Sequence, residues 1–372
     1  MASVIFTFDP AKTDSPPEFY VGVEFAYGRN LNDSQTTFTD LKMLVDKVSN
    51  YTNLFVVGIP EVSKNQALLN DSCNYIYNAG LHFIVLFTDI TTYNYTVGDW
   101  TAMAHQKYGE KFLGVYRLDE PGGIELDNHK DRFLNASEFS ADNRNYTGAA
   151  ETYINALGGH VNYFHSLLYP TIVTADYGLY WFDYKSGYDT VFAEFGWNQS
   201  RQIAISLCRG AARAQNKDWG AMITWTYRQE PYIESGPELY GDLVLAYDSG
   251  AKYAVVFDYP NPAEYGILTP EHFKALSDFW NYTQANPQKH GSTLAQVAYV
   301  LPEGYGFGFR SANDSIWGIW NADNLAVKVW SDTRNLISQY GSGLDVVYSD
   351  AQYMHTVKGG YSQLFYWNQT IP

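Results

Sequence analysis

Short apolar runs alternate with segments of helical period through the first 290 residues of the chain. The strand-like runs are FYVGVEFAY (19–27), NLFVVGIP (53–60), LHFIVLFTD (81–89) and FLGVYRLDE (112–120). They continue with YPTIVTAD (169–176), TVFAEFGW (190–197), AMITWTY (221–227) and AKYAVVFDY (251–259), eight in all. Between them apolar residues recur three and four apart, as at Phe38, Leu41, Leu44, Val45 and Val48. Runs with so little polar alternation are strands buried on both faces, which means parallel strands covered by helices. The pattern predicts an α/β protein whose core is a (β/α)8 TIM barrel over 17–290, after an N-terminal extension of 1–16. A doubly wound open sheet would need a glycine-rich phosphate loop after its first strand, and AYGRNLND has a single glycine.

The last stretch, 291–372, changes character. AQVAYVLP reads as a strand, LAVKVWSDTRNLISQYG as a helix, and LDVVYSD and SQLFYWN as two more strands. This predicts a small C-terminal α/β domain of Rossmann-like order. Gly304, Gly306 and Gly308 follow the first of these strands, but a phosphate loop needs a helix N-terminus directly after it, and FRSANDSIWG is not one. The segment is read as an aromatic loop, with Arg310 expected to reach the barrel rim. The longest connection, 121–168, leaves the fourth run just beyond Glu120.

Barrels of this kind carry their active sites at the carboxyl ends of the strands. Glu24 lies in the first run, Asp89 ends the third, Asp119 and Glu120 the fourth, and Asp176 the fifth. Glu194 ends the sixth, Trp225 and Tyr227 the seventh, and Asp258 the eighth. Glu120 and Glu194 stand out, each set among apolar and aromatic neighbours at a strand exit. Tyr180, Trp181, Tyr184 and Trp197 fall on the same rim. Aromatic faces stack on the C–H faces of sugar rings, while carboxylates and arginine bind hydroxyls. Cleaving a glycosidic bond takes two carboxyl groups across it: one protonated for the leaving oxygen, one ionised to attack carbon or activate water. Asp119 raises the proton affinity of Glu120 by like charge, which suits Glu120 to the acid role and leaves Glu194 the other. The expected catalytic residues are therefore Glu120 and Glu194, with Asp119 assisting and Glu230 in reserve. The expected sugar contacts are Glu24, Arg117, Trp181, Trp225, Tyr227 and Asp258. Such chemistry needs no metal or other cofactor.

Composition trims the alternatives. The 372 residues carry 24 basic against 40 acidic side chains, a formal charge of −16, so the basic footprint of a nucleic-acid binder is missing. The eight histidines show no zinc-binding spacing; His160 and His165, five apart, read as packing residues. A G-x-S-x-G elbow is absent. Cys73 and Cys208 make no disulfide framework and are expected to be buried and inert. No apolar run has the length of a membrane span, and MASVIFTFDP lacks the basic flank of a signal peptide. Ten of 25 asparagines begin N-x-S/T sequons, against about three by chance. These are Asn32, Asn50, Asn70, Asn94, Asn135, Asn145, Asn198, Asn281, Asn313 and Asn368. With 32 tyrosines and only 17% charged residues, the chain has the composition expected of an extracellular or cell-surface glycoprotein, of archaeal type. Its expected partner is carbohydrate.

The motif RLDEP, Arg117 to Pro121, resembles the Asn-Glu-Pro signature of the retaining glycosidase clan with (β/α)8 barrels. The resemblance implies that Glu120 is the acid/base. Asp119 stands where that clan has Asn, and Trp225 and Tyr227 stand where its nucleophile ends the seventh strand. FAEFGW resembles the nucleophile motif but ends the sixth run. Barrels similar to α-galactosidases pair carboxylates from strands four and six, with the nucleophile on four, which would reverse the two roles. The tail, VLPEGYGFGFRSANDSIWGIWNAD and then GLDVVYSD, resembles the segment after the barrel in poorly characterised archaeal and bacterial glycosidase-like proteins. It is also similar to the glutamine-amidotransferase-like domain of some β-galactosidases. The expected function is a secreted glycoside hydrolase acting on a poly- or oligosaccharide. The rival is a non-catalytic cell-surface or sugar-binding glycoprotein on a degenerate barrel.

Overall fold

The computed structural model describes residues 19–26, 28–128, 133–139, 144–167, 171–259 and 263–371; the expected N-terminal extension, 1–16, lies outside them. Eight parallel strands close into a barrel in chain order. They are β1 (Tyr20–Phe25), β2 (Leu54–Val57), β3 (His82–Phe87) and β4 (Phe112–Arg117), then β5 (Thr171–Asp176), β6 (Thr190–Phe195), β7 (Asp218–Ile223) and β8 (Tyr253–Val256). β1 closes on β8, with Tyr20 level with Tyr253. Strand β7 begins three residues before the expected run, because Asp218 and Trp219 already pair with β6.

Alternation along each strand sends one set of side chains inward and the other to the helices. Leu54, Val56, Ile84, Tyr116, Phe192 and Met222 are among those that fill the lumen. Tyr20 and Tyr253 stack across its floor, 5.2 Å between ring centroids. The outward set packs on the helix layer in a much larger apolar cluster. With the floor plugged, the open end of the lumen is the end where β4 and β6 finish.

After the barrel, β9 (Val297–Leu301), β10 (Leu344–Tyr348) and β11 (Gln363–Tyr366) form a parallel sheet in the order β10-β9-β11, with the helix Asn324–Tyr340 crossing from β9 to β10. This is the expected small α/β unit. It sits on the barrel helix Arg201–Ala214, which is buried on nearly all sides between β6 and β10. Contact is close enough that a Cβ on Gly210 would lie 2.4 Å from the Val346 carbonyl oxygen. The glycines at 304–308 serve packing rather than a ligand: Gly306 lies against the Trp317 ring and Gly308 against the Asp314 carboxylate. Arg310 does reach the barrel, pairing with Asp127 on the rim as well as with Asp314.

Candidate active site

The turn from β4 into the short helix Pro121–Leu126 explains the run GVYRLDEPGG. Leu118 and Glu120 both hold left-handed backbone conformations, φ 57° and 49°, which cost non-glycine residues energy and persist only when surroundings fix them. The end of β5 fixes them. Thr174 Oγ1 donates to the Leu118 carbonyl at 2.7 Å, and the Glu120 amide donates to the Ala175 carbonyl at 3.0 Å. The Asp176 carboxylate accepts from the amides of Gly122 and Gly123, the latter at 2.9 Å. Both glycines are needed for that approach. A Cβ on Gly122 would lie 2.5 Å from the Gly178 oxygen, and one on Gly123 would lie 2.1 Å from the Tyr177 ring.

This turn delivers two carboxyls to the mouth of the lumen. Asp119 opens to the mouth and accepts a hydrogen bond from the Tyr116 hydroxyl, whose ring fills the lumen below. Glu120 is half-buried and Glu194, level with lumen-facing Met222, is nearly closed off. Glu120 and Glu194 lie close enough that each shifts the other's proton affinity. Burial, then the negative charges of Asp119 and Asp176, pushes Glu120 up to about 8. Burial followed by repulsion from Glu120 and Asp119 holds Glu194 well above the usual carboxyl range. Glu24, on β1, is buried beside Asp119 and raised by its burial and by the charges of Asp119 and Asp258. No basic side chain contributes to any of these shifts, so the site keeps protons that an ordinary carboxylate cluster would release.

Glu24, Asp119, Glu120 and Glu194 are thus brought together. Three other expected sugar contacts do not open to the mouth. Arg117 points out of the barrel, because its neighbour Tyr116 takes the inward position; it donates to the Phe87 carbonyl at 3.1 Å and to the Thr88 carbonyl, with His160 at 3.3 Å. Trp181 belongs to a helix, Tyr180–Lys185, that turns it toward the C-terminal sheet, where it packs on Tyr348 and Tyr353. Asp258 is fully buried and organises its own loop, accepting from the Tyr259 and Ile267 amides, each at 2.8 Å. Trp225 is half-buried in an aromatic group with Tyr259, Phe257 and Tyr232, and Tyr227 is 45% exposed on the rim. Glu230 is exposed on the same loop as Tyr227. Cys73 and Cys208 are free and buried. Tyr116, which fills the lumen, and the clamp at Asp176 escaped the sequence reading.

Nine sequon asparagines are exposed, and Asn70 is half-buried, accepting from the Trp100 indole at 2.9 Å. Among the described residues no group of His, Cys, Asp and Glu could hold a metal ion, and no helix is long and apolar enough to cross a membrane.

A closed eight-stranded parallel barrel with carboxyls at the carboxyl ends of its strands defines the class, and solved structures give it a context. No protein-family model and no curated protein matches the sequence. In three dimensions the chain is similar to GH5_18 from Streptomyces cattleya, solved in complex with GlcNAc. The TM-score is 0.62 at 12% identity, over 95% of this chain and 99% of that one. It is also similar to alpha-L-fucosidase isoenzyme 2 from Paenibacillus thiaminolyticus, with TM-score 0.54 at 9% identity, over 93% of this chain and 59% of that one. At such identities the likeness is one of fold: this chain has the (β/α)8 barrel on which those glycoside hydrolases are built.

Proposed function

We propose that the protein is a glycoside hydrolase in which Glu120 is the acid/base and Glu194 the nucleophile. The observation that carries this reading is the pairing of Glu120, just past the end of β4, with Glu194 near the end of β6, close enough that each shifts the other's proton affinity. Glu120 is the more exposed, on a turn where it can exchange its proton with water and meet a leaving oxygen. Glu194 is 6% exposed on a rigid strand, as suits a group that must reach the anomeric carbon in one geometry. The mutual influence of the two carboxyls is in keeping with the short separation of a retaining pair rather than the wider one that holds an inverting water, which supports the retaining route. In that route Glu194 forms a bond to the anomeric carbon as Glu120 protonates the leaving oxygen. Water then breaks that bond with Glu120 as base, returning the proton to Glu120. Asp119 and Glu24 lie where they would bind sugar hydroxyls. The substrate is proposed to be an oligo- or polysaccharide, since Trp197, Tyr227 and Tyr259 are each at least 39% exposed on the loops after β6, β7 and β8. The exposed sequons support action outside the cell as a glycoprotein, and the tyrosine-rich, charge-poor composition supports an archaeal source.

The test is hydrolysis of a panel of aryl glycosides and plant, fungal and bacterial polysaccharides by the wild type, Glu120→Gln and Glu194→Gln. Each variant should keep its fold and lose turnover by about 100- to 10,000-fold. Azide should restore an aryl glycosidase activity to Glu194→Gly. Unchanged turnover in Glu120→Gln would remove it from the reaction. A second reading, a non-catalytic sugar-binding glycoprotein, draws on one observation. Asn198 is exposed on the ridge between grooves of about 540 and 430 Å³ and close to the mouth. Sugar binding without hydrolysis by the wild type would favour it.

A further inference from the structure

Behind Glu120 lies a second pair of carboxyls that the reaction above does not use. Asp176 and Asp183 are both completely buried. Asp176 accepts from four amides: Gly122, Gly123 at 2.9 Å, Tyr177 at 2.7 Å and Gly178 at 3.1 Å. Two of these belong to the turn that carries Glu120, and two to its own loop. Asp183, on the helix Tyr180–Lys185, accepts the Tyr153 hydroxyl on Oδ1 at 2.6 Å. Its Oδ2 is buried with no donor to accept from. Yet Asp176 is near enough for its charge, after burial, to hold Asp183 toward the protonated form. Both facts have one explanation: Oδ2 of Asp183 is a hydroxyl, and it donates to Asp176. A carboxylate receiving four N–H donors is favoured as the anion, while one facing that anion and a single hydroxyl is favoured as the acid.

We propose that Asp176 and Asp183 form a positioning pair for Glu120: Asp183 keeps a proton and donates it to Asp176, and the Asp176 carboxylate clamps the Gly122 and Gly123 amides, holding Glu120 in its left-handed turn against Glu194. The inference rests on the reading of Glu120 as proton donor and supplies what orients it. The clamp also sets charge. Groups facing Glu120 are Asp119 on its own turn, Asp127 at the far end of the short helix, Asp176 and Tyr177 from β5 and its loop, and Glu194 from β6. Asp176 is the charged member of this set that also holds the backbone. Its own other neighbours are neutral: Tyr153, Tyr180, Tyr188 and the Cys208 thiol.

The experiment is an infrared titration of the protonated carboxyl band in the full-length protein, with the Glu120 component identified by its loss in Glu120→Gln. Asp176→Asn removes the charge and mismatches an amide to the clamped N–H groups; the Glu120 band should then titrate lower by about one pH unit or more. Asp183→Asn keeps a donor toward Asp176 and should leave the band within about half a unit of wild type. Asp183→Leu keeps bulk but removes the donor, and should shift the Glu120 band as Asp176→Asn does. This Asn-against-Leu contrast holds even where Asp176→Asn fails to fold. Equal titration in Asp183→Asn and Asp183→Leu, or an unmoved band in folded Asp176→Asn, would overturn the proposal. A wild type inactive on every glycoside, with the band shifts as described, would instead count against the hydrolase reading alone.

Discussion

In the proposed reaction Glu120 must hold a proton until a leaving oxygen takes it, and its surroundings favour that by burial and by the charges of Asp119 and Asp176. With Glu120 at about 8, the activity it supports should fall as pH rises through about 8. The same shifts bear on stability, and the sign follows from their direction. Glu120 and, on the loop after β7, Glu234 both stand at about 8 in the fold, above the values near 4 of an unfolded chain. The folded state therefore binds more protons than the unfolded one between those values. Stability is fully present below about pH 4 and is lost as pH rises through about 8. Thermal melting should occur at higher temperature at pH 5 than at pH 8.5, by on the order of 5 °C, and Glu120→Gln should flatten the slope. A melting temperature that rose across this range would show that these carboxyls ionise without cost.

Eight runs and their order were legible because parallel barrel strands are apolar on both faces, and such runs are easy to see. The same property hides which face each residue takes. In RLDEP the arginine and the acids look like one rim group, yet Arg117 points to the helix layer while Asp119 points to the mouth. Trp181 was misplaced for a different reason: six residues, Tyr180–Lys185, form a helix too short to show a period, and it buries its aromatics. Glu194 sits on the sixth strand in the closed barrel as well as in the reading of the runs, so its departure from the clan's seventh-strand pattern belongs to the molecule. In the proposed hydrolase the loops after β6 to β8, with their exposed aromatics, would meet substrate beyond the carboxyls. Trp197, 39% exposed beside Tyr227, can stack on a sugar beyond the reacting bond without touching the carboxyls. Trp197→Ala should raise KM for a long polysaccharide by about tenfold or more, in line with about 1–3 kcal/mol per aromatic stack, and leave kcat on a short aryl glycoside unchanged. An equal loss on both substrates would mean that Trp197 only supports the Glu194 strand.

At the scale of the whole molecule, the C-terminal unit and the barrel are fastened by charge as well as by apolar contact. Arg209, from the helix Arg201–Ala214, donates from Nε to Asp345 on β10 at 2.8 Å. Its other nitrogens reach the carbonyls of Leu344 at 3.1 Å and Thr293 at 3.1 Å. Arg209 is 5% exposed and Asp345 fully buried, with the Tyr361 hydroxyl completing the carboxylate at 2.7 Å. A buried pair of this kind need not add net stability over apolar residues, but breaking one half strips buried Asp345 of its close partner and leaves Arg213 at 3.9 Å as the remaining cation. Arg209→Met should therefore cost about 3–5 kcal/mol, whereas the double change Arg209→Met with Asp345→Leu should recover most of it. Because the helix that carries Arg209 is covered by both units, the loss should lower one shared transition. Calorimetry of the wild type should show a single unfolding peak, moved down by about 5 °C in Arg209→Met. Two separate peaks, with only the earlier one moved, would make the C-terminal unit an independent domain that the barrel can do without.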